Sequence, residues 1–532
     1  MRLSRVLERI QLPTIPLEEA GLERCRGLLL QDFLYKSAGC CPDKEALVDD
    51  SCRMTYAEVN KESNSLSHGL AHLGVGHGDR VAMLIENSVD FGLILAAILK
   101  IGAVAVPLFP RLAQSDLKYI LDHAAVKAVF LEEQALKEIS PLRKKLSTNL
   151  FIVRGNQLPG WAFSLDELKV DNMSDPAVEM DPEEPAVIQY TSGTTGRPKG
   201  VVLSHRALVV NAHQTQIFCN IGNDEKIHVF TALYHVSAAG MLWLSIFMGC
   251  TAFITVYHTV PILRQVESER ITGFVVVPAM LNMIIQEMEL NHYDLSCIRW
   301  MMIGAAVLPF ETMKKLRALF PKSLLLNMYG LTENAPALTG LEDRYALIKK
   351  GSVGKPFPSS RARIVDDNGV DCPPNQIGEL ILQGASFMSG YYRDPERFAG
   401  VVKDGWYYTR DLGYMDEEGF LYIVDRKDDM IIRGGENIYP AEIEAGIYRN
   451  PKVLEAAVIG VADKVMGQEI KVFVVPKEDS GLTVEEISSY CCSVFPSIKL
   501  PKYFELCKAL PKISTGMKTS KVLLRQKELQ NG

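Results

Sequence analysis

Tyr190-Thr191-Ser192-Gly193-Thr194-Thr195-Gly196-Arg197-Pro198-Lys199-Gly200 is the stretch on which the reading of this chain turns. Four aliphatic hydroxyls, three glycines and two cations fall within its eleven residues. Glycines let a backbone come close to a ligand, and successive N–H and O–H groups can wrap phosphate oxygens. The spacing is not that of a Walker A loop, since Lys199 is followed by Gly200 and the GxxxxGK pattern is absent from the segment. An ordinary surface turn does not place this density of donors between two strand-like flanks.

Outward from this segment the chain alternates strand and helix signals. Towards the N-terminus, Val81–Ile85, Ala103–Leu108, Ala128–Leu131 and Leu150–Val153 are short apolar runs. Ser88 is placed to cap a helix running to Lys100, and Gly102 to end it. Towards the C-terminus, Phe274–Val277, Trp300–Ile303 and Leu324–Met328 repeat the apolar run, each followed by a Gly or Pro turn. Fully apolar strands separated by helices predict parallel sheets covered on both faces. Ligands of such sheets sit beyond the carboxyl ends of the strands. That places Gly304-Ala305-Ala306 and Tyr329-Gly330-Leu331-Thr332-Glu333 where a site belongs. After about residue 350, Gly- and Asn-rich turns between short strands (364–365, 380–382, 420–424) predict antiparallel hairpins. The charged run Asp425–Asp429 reads as a boundary, with a small α+β segment beyond it.

Composition narrows the function classes. The 532 residues are 47% hydrophobic and 23% charged, which excludes disorder, collagen and coiled coil as whole-chain readings. The net charge of −7 offers no general attraction to a nucleic-acid backbone, although a local phosphate site needs only a few donors. The eleven cysteines include the adjacent pairs Cys40-Cys41 and Cys491-Cys492 and no CxxC, so reduced thiols are expected rather than zinc or redox motifs. Met241–Tyr257 is uncharged, but its ~17 residues are at the lower limit for a bilayer span. Gly249 breaks it, which predicts a buried helix followed by a buried strand. The opening residues carry no continuous apolar run of the export type, and ELQNG carries no SKL-type tripeptide. A cytoplasmic location with no integral membrane segment and no nucleic-acid partner is expected; oligomeric state is not read from the sequence.

The Tyr190–Gly200 segment resembles the phosphate loop of the adenylate-forming superfamily, which includes acyl-CoA synthetases, firefly luciferase and peptide-synthetase adenylation domains. Further motifs follow in the family's order, over nearly the whole chain, and the sequence is similar to a stand-alone acyl- or aryl-CoA ligase. The resemblance implies ATP, Mg²⁺ and coenzyme A as cofactors. It implies an α/β fold: a large N-terminal domain of doubly wound sheets with a small β-barrel-like subdomain, residues 1–425, and a small mobile α+β C-terminal domain, 426–532. Thr191, Ser192, Gly193, Thr194, Thr195, Gly196 and Lys199 then face the nucleotide phosphates. Tyr329-Gly330-Leu331-Thr332-Glu333 resembles the YGxTE motif, with Thr332 and Glu333 on phosphates and Glu333 on Mg²⁺. Gly304, Ala305 and Ala306 resemble the segment against adenine and the acyl group. Tyr408-Thr409-Arg410-Asp411 resembles the TGD motif, with Asp411 on the ribose hydroxyls and Arg410 in place of the usual Gly. Arg426 matches the second ribose contact, Asp428 the hinge, and Gly434-Gly435 the loop lining the pantetheine tunnel.

The C-terminal motif departs from the family's TGK. Here Met517 follows Thr515-Gly516, and a one-residue insertion leaves Lys518, Lys521, Leu524 and Arg525 at the family's later spacing. Lys518 is read as the adenylating lysine; the alternative is a weakened adenylation step with Lys518 a solvated loop lysine. Tyr234-His235-Val236 resembles the segment at the carboxylate site, where amino-acid-activating relatives carry an Asp for the substrate ammonium. An ammonium buried without a counter-ion would cost several kcal/mol, so His235 argues against an amino acid. Val236, Ser237, Met241, Gly304, Leu331, Asn334, Ala335 and Pro336 make a mostly apolar lining with no fixed cation. The expected substrate is an aliphatic, alicyclic or aromatic monocarboxylic acid, activated as acyl-AMP with release of pyrophosphate and then transferred to coenzyme A. Two alternatives stand beside it: loading of a carrier-protein pantetheine, and a non-catalytic acid- or nucleotide-binding protein.

Overall fold

The computed structural model describes residues 21–191, 197–306, 308–512 and 519–531. The chain forms two compact units, Met1–Ala362 with Leu382–Tyr407, and Arg363–Ile381 with Tyr408–Gly532. The charged run at 425–429 lies inside the second unit.

The first unit holds two large sheets. In one, Glu45–Val48, Thr251–Ile254, Lys226–Val229, Gly273–Val276, Trp300–Ile303 and Leu324–Tyr329 run parallel as successive neighbours. Arg53–Thr55 closes one edge antiparallel, and Thr339–Leu341 and Lys355–Pro356 close the other. In the second sheet, Phe163–Ser164, Leu150–Arg154, Val126–Glu132, Arg80–Leu84, Val104–Pro107 and Pro185–Thr191 run parallel. Lys199–Ser204 and Gly390–Tyr391 extend it antiparallel. The apolar runs read from the sequence are these strands. Val81 to Leu84 show no exposed surface, as a strand covered on both faces requires.

Helix Val89–Lys100 shows how the sheets are held. Ser88 Oγ accepts from the Phe91 N–H at its start, and Gly102 follows its end at φ +70°. The helix packs on both sheets, against Glu45–Val48 and against Val104–Pro107. It is therefore apolar all round, with Phe91 and Leu93 to Leu99 buried. Each of the buried Leu, Ile and Phe side chains among these stabilises by about 1.5–3 kcal/mol. The uncharged stretch near 241–257 is helix Val236–Met248, a left-handed Gly249 and the buried strand Thr251–Ile254. No helix among the described residues is long and apolar enough to cross a membrane. All eleven cysteines are free.

In the second unit, residues 411–415 of strand Trp406–Met415 pair antiparallel with Leu421–Arg426, the hairpin expected there. Beyond it a five-stranded sheet is ordered Glu436–Ile438, Ile431–Arg433, Gly467–Pro476, Val453–Asp463, with Tyr503–Leu506 alongside Gly467–Pro476. Ile443 and Ile447 of helix Pro440–Ile447 and Ile487 of helix Val484–Val494 bury against Val458, Ile470, Val472 and Val474. This is the α+β arrangement the sequence predicts for the C-terminal segment.

Candidate active site

The donor-rich segment sits at the tip of a hairpin. Pro185–Thr191 and Lys199–Ser204 pair down to Thr191 opposite Lys199. Ser192, Gly193, Thr194, Thr195 and Gly196 lie outside the described residues. Thr191 Oγ1 is buried, with no hydrogen-bond partner among the described residues. Lys199 leaves the hairpin towards the other sheet, where the short helix Thr332–Asn334 follows strand Leu324–Tyr329. Its Nζ donates to Glu333 Oε1 at 2.8 Å and to Tyr391 Oη at 2.8 Å. Tyr391 Oη in turn donates to Glu333 Oε1 at 3.0 Å. Burial alone would raise the Glu333 carboxyl, but the Lys199 ammonium, its hydrogen bond and that of Tyr391 outweigh it and hold the group below the usual range. Glu333 is thus a buried anion kept charged by one cation and one phenol.

The loop bearing Glu333 is tightly constrained. A Cβ on Gly330 would stand 1.6 Å from the Pro336 carbonyl oxygen, so this glycine is required by the loop's own closure. Asn334 Oδ1 accepts from the Leu331 N–H at 2.6 Å, and Ala335 takes φ +62°. Asn211 Nδ2 and Gln214 Nε2 both donate to the Ala337 carbonyl, at 2.8 and 2.9 Å. One strand away, Gly304 faces the same turn: a Cβ there would lie 3.0 Å from the Met328 carbonyl oxygen. Ala305 adopts φ +66° and, with Ala306, is exposed at the strand's carboxyl end. Gly304 to Ala306 and Tyr329 to Glu333 thus follow neighbouring parallel strands.

His235 precedes helix Val236–Met248 and is half-buried. Its ring lies 4.8 Å from that of Tyr234, which lies 5.3 Å from Phe109. The turn that carries it is clamped by Asn87, whose Nδ2 donates to the Thr231 and Thr255 carbonyls at 2.8 and 2.9 Å and whose Oδ1 accepts from the Leu233 N–H at 2.8 Å. Gln189 Nε2 adds a bond to the Tyr234 carbonyl at 2.9 Å. Asn87, Gln189, Asn211 and Tyr391 were not singled out in the sequence. A polar Asn87 three residues after an apolar strand, Arg80–Leu84, was the one local signal available.

The second unit carries the remaining residues. Asp411 and Arg426 are opposite each other across the hairpin, with Arg426 Nε 3.1 Å from Asp411 Oδ1. Arg410 adopts φ +64°, the left-handed region that favours the glycine usual at this motif position. Its guanidinium is spread over both carboxylate oxygens of Asp428, with Nε to Oδ2 at 2.8 Å. Gly434 and Gly435 form the two-residue turn between Ile431–Arg433 and Glu436–Ile438, at φ +59° and +89°. Lys518 and Met517 lie outside the described residues. The residues spaced after Lys518 are anchored: Lys521 pairs with Glu444 at 2.9 Å, Leu524 is buried, and Arg525 pairs with Asp429 at 2.6 Å.

Among the described residues no cluster of three His, Cys, Asp or Glu is arranged for a metal. A single buried carboxylate, Glu333, suits a cation that takes most of its ligands from substrate phosphates and water, as Mg²⁺ does.

The family model described as "AMP-binding enzyme" matches residues 34–392, and "AMP-binding enzyme C-terminal domain" matches 442–517. A long-chain-fatty-acid–CoA ligase of Bacillus subtilis (strain 168) is 31% identical over 93% of this chain and 94% of its own. A feruloyl-CoA synthase of Amycolatopsis sp is 33% identical over 92% of this chain and 96% of its own. The o-succinylbenzoate CoA synthetase of Bacillus subtilis, solved with its acyl-adenylate OSB-AMP, superposes with a TM-score of 0.83 at 27% identity, covering 93% of this chain and 97% of that one. The same synthetase has been solved with ATP and a magnesium ion. The chain belongs to the AMP-binding enzyme family, the adenylate-forming superfamily. Within it, the chain is an AMP-forming acid–CoA ligase.

Proposed function

We propose that this ligase activates a monocarboxylic acid with an apolar aliphatic, alicyclic or aromatic body as its acyl-adenylate, then passes the acyl group to free coenzyme A. The observation that carries the reading is the Lys199–Glu333 pair, joined at 2.8 Å where a hairpin rich in phosphate donors meets the carboxyl end of a parallel strand. One cation and one anion held side by side are what a nucleotide triphosphate and its metal require. Lys199, Thr191 and the segment 192–196 hold the phosphates, Thr332 adds a hydroxyl, and Glu333 would hold Mg²⁺. When bound, Mg²⁺ neutralises charge on the phosphate oxygens. Gly304 to Ala306 and Tyr329-Gly330 form the bed for the adenine and acyl group. Asp411 and Arg426 take the ribose hydroxyls, and the two carboxylate oxygens of Asp411 suit two donors.

The substrate carboxylate attacks the α-phosphorus and releases pyrophosphate. A free carboxylate is inert to thiols, because its leaving group is oxide; in the mixed anhydride the leaving group is AMP. Charge develops at phosphorus during the attack, and Lys518 supplies a cation there. In the second step the thiol attacks the acyl carbon and displaces AMP. Lys518 and the entering pantetheine cannot share the site, so residues 426–532 move about Asp428 between the steps, and Gly434-Gly435 then lines the thiol's path. The acid is apolar because the lining drawn from Val236, Met241, Leu331, Ala335 and Pro336 carries no fixed cation and His235 stands where a counter-ion to an ammonium would be needed. The relatives named for fatty and ferulic acids fit this class.

The test is a screen of monocarboxylic, dicarboxylic and amino acids for acid-dependent ATP–pyrophosphate exchange, followed by thioester formation with free coenzyme A. Exchange and thioester with apolar monoacids is the expected result. Exchange with amino acids, or an acyl-adenylate that transfers only to a carrier protein, would overturn the reading.

A further inference from the structure

Tyr391 belongs to no motif singled out in the sequence, yet it stands between the two charges of the site. Strand Gly390–Tyr391 pairs antiparallel with Lys199–Ser204, Tyr391 opposite Val201, so the backbone sets the phenol beside Lys199. The preceding turn is tied to the other sheet, since the Met388 N–H donates to the Glu333 carbonyl at 2.8 Å. Tyr391 is 3% exposed, and the Lys199 ammonium lies 4.5 Å from its ring centroid.

The hydrogen-bond accounting at the phenol closes. A tyrosine hydroxyl has one proton and two lone pairs. The proton goes to Glu333 Oε1 at 3.0 Å. One lone pair accepts from Lys199 Nζ at 2.8 Å. The Tyr407 hydroxyl, itself buried, lies 3.3 Å away, and either oxygen of that pair can donate. With the Tyr391 proton on Glu333, a hydrogen bond between the two phenols runs from Tyr407 to Tyr391. A buried carboxylate with two fixed donors on one oxygen keeps both its charge and its orientation.

We propose that Tyr391, backed by Tyr407, is a positioning residue of the nucleotide site: its hydroxyl fixes Glu333 as an oriented anion and Lys199 in reach of the phosphates at once. The proposal rests on the reading of Glu333 as the carboxylate for Mg²⁺ and of Lys199 as a phosphate contact. In Tyr391→Phe the ring stays and only the hydroxyl goes. Glu333 loses a donor, and Lys199 loses its second acceptor.

The experiment measures ATP binding by calorimetry at a series of Mg²⁺ concentrations, with pyrophosphate exchange in parallel, for the wild type, Tyr391→Phe and Tyr407→Phe. In Tyr391→Phe the Mg²⁺ concentration for half-maximal ATP binding should rise about tenfold, the effect of losing one hydrogen bond to a charged group. ATP KM should rise with it, while the KM for the acid stays within twofold. Tyr407→Phe should shift the Mg²⁺ dependence in the same direction by about twofold, because its hydroxyl stands behind that of Tyr391, 3.3 Å from it. A thermal melt checks folding of each variant. Unchanged Mg²⁺ dependence in a folded Tyr391→Phe overturns the positioning role. So does an equal loss of acid and ATP binding, which is what general loosening of the site would produce. A wild type whose ATP binding ignores Mg²⁺ overturns instead the assignment of Glu333, so the two failures are distinguishable.

Discussion

Gly330→Ala asks whether the loop that carries Glu333 is held by its own packing. Gly330 does not have the positive φ that would demand glycine on conformational grounds. Its constraint is space: the new Cβ would stand 1.6 Å from the Pro336 carbonyl oxygen, 2.7 Å from its carbon and 3.1 Å from Ala337 Cα. Carbon in ordinary contact needs about 3.5 Å, so the two chain segments must part by ~2 Å. They cannot part freely, because Asn211 and Gln214 hold the Ala337 carbonyl and the Leu338 N–H donates to the Tyr329 carbonyl at 3.0 Å. Overpacking of this kind costs about 1–3 kcal/mol, and each kcal/mol lowers the melting temperature of a unit this large by ~1–2 °C. The kinetic effect is larger. Displacing a charged group by ~1 Å can cost about 100-fold, and Glu333 lies three residues from the clash. Acid-dependent pyrophosphate exchange should therefore fall about 100-fold in a protein that still melts cooperatively. Wild-type exchange in Gly330→Ala would refute the reasoning at its root. A lowered melting temperature with normal exchange would show that the loop's position does not matter to the chemistry.

Lys518→Ala should abolish most pyrophosphate exchange and largely spare thioester formation from supplied acyl-adenylate; normal pyrophosphate release would sink the one-residue-insertion reading. Arg410→Gly removes a half-exposed ion pair worth about 1 kcal/mol or less and relieves a left-handed arginine, so the melting temperature should move by no more than ~2 °C. If Asp428 is the pivot, freeing it should speed single-turnover thioester formation while leaving exchange near wild type; identical rates in both half-reactions would remove Arg410 and Asp428 from the cycle. Burial pushes His205 and His213 down to about 4 and His228 to about 3. Folded values below the unfolded ~6.5 mean that each imidazole takes up a proton on unfolding, so stability is full above pH ~6.5 and falls with pH towards ~4. The three together give a slope of roughly 4 kcal/mol per pH unit over the middle of that window. Melting temperatures at pH 7 and pH 5 check this, and His213→Gln should flatten the slope because neither ring nitrogen of His213 has a partner among the described residues. A melting temperature unchanged between those pH values would contradict it.

The elements and the order of the motifs are legible in the chain alone. Ser88, Gly102 and Gly249 punctuate helices whose ends can be read directly, because capping and left-handed turns are properties of single residues. Runs such as Val81–Leu84 and Trp300–Ile303 announce strands covered on both faces, and Gly304 and Tyr329 read as turns at carboxyl ends; that their two strands are neighbours is seen only in the fold. Which groups meet is set by the packing of distant segments. Lys199 and Glu333 are 134 residues apart and come from different sheets, and Tyr391, which joins them, is brought in by a two-residue strand with no local signature. Gly330 reads as a ligand-facing glycine, but its surroundings show that the Pro336 carbonyl already fills the space of its Cβ. Arg410 reads as a departure from the family, and only its backbone angle and the carboxylate of Asp428 explain how an arginine is accommodated there. Capping and periodicity act within a few residues and are written locally, whereas a buried charge gets its partner from whatever the packing of distant strands places within 3 Å.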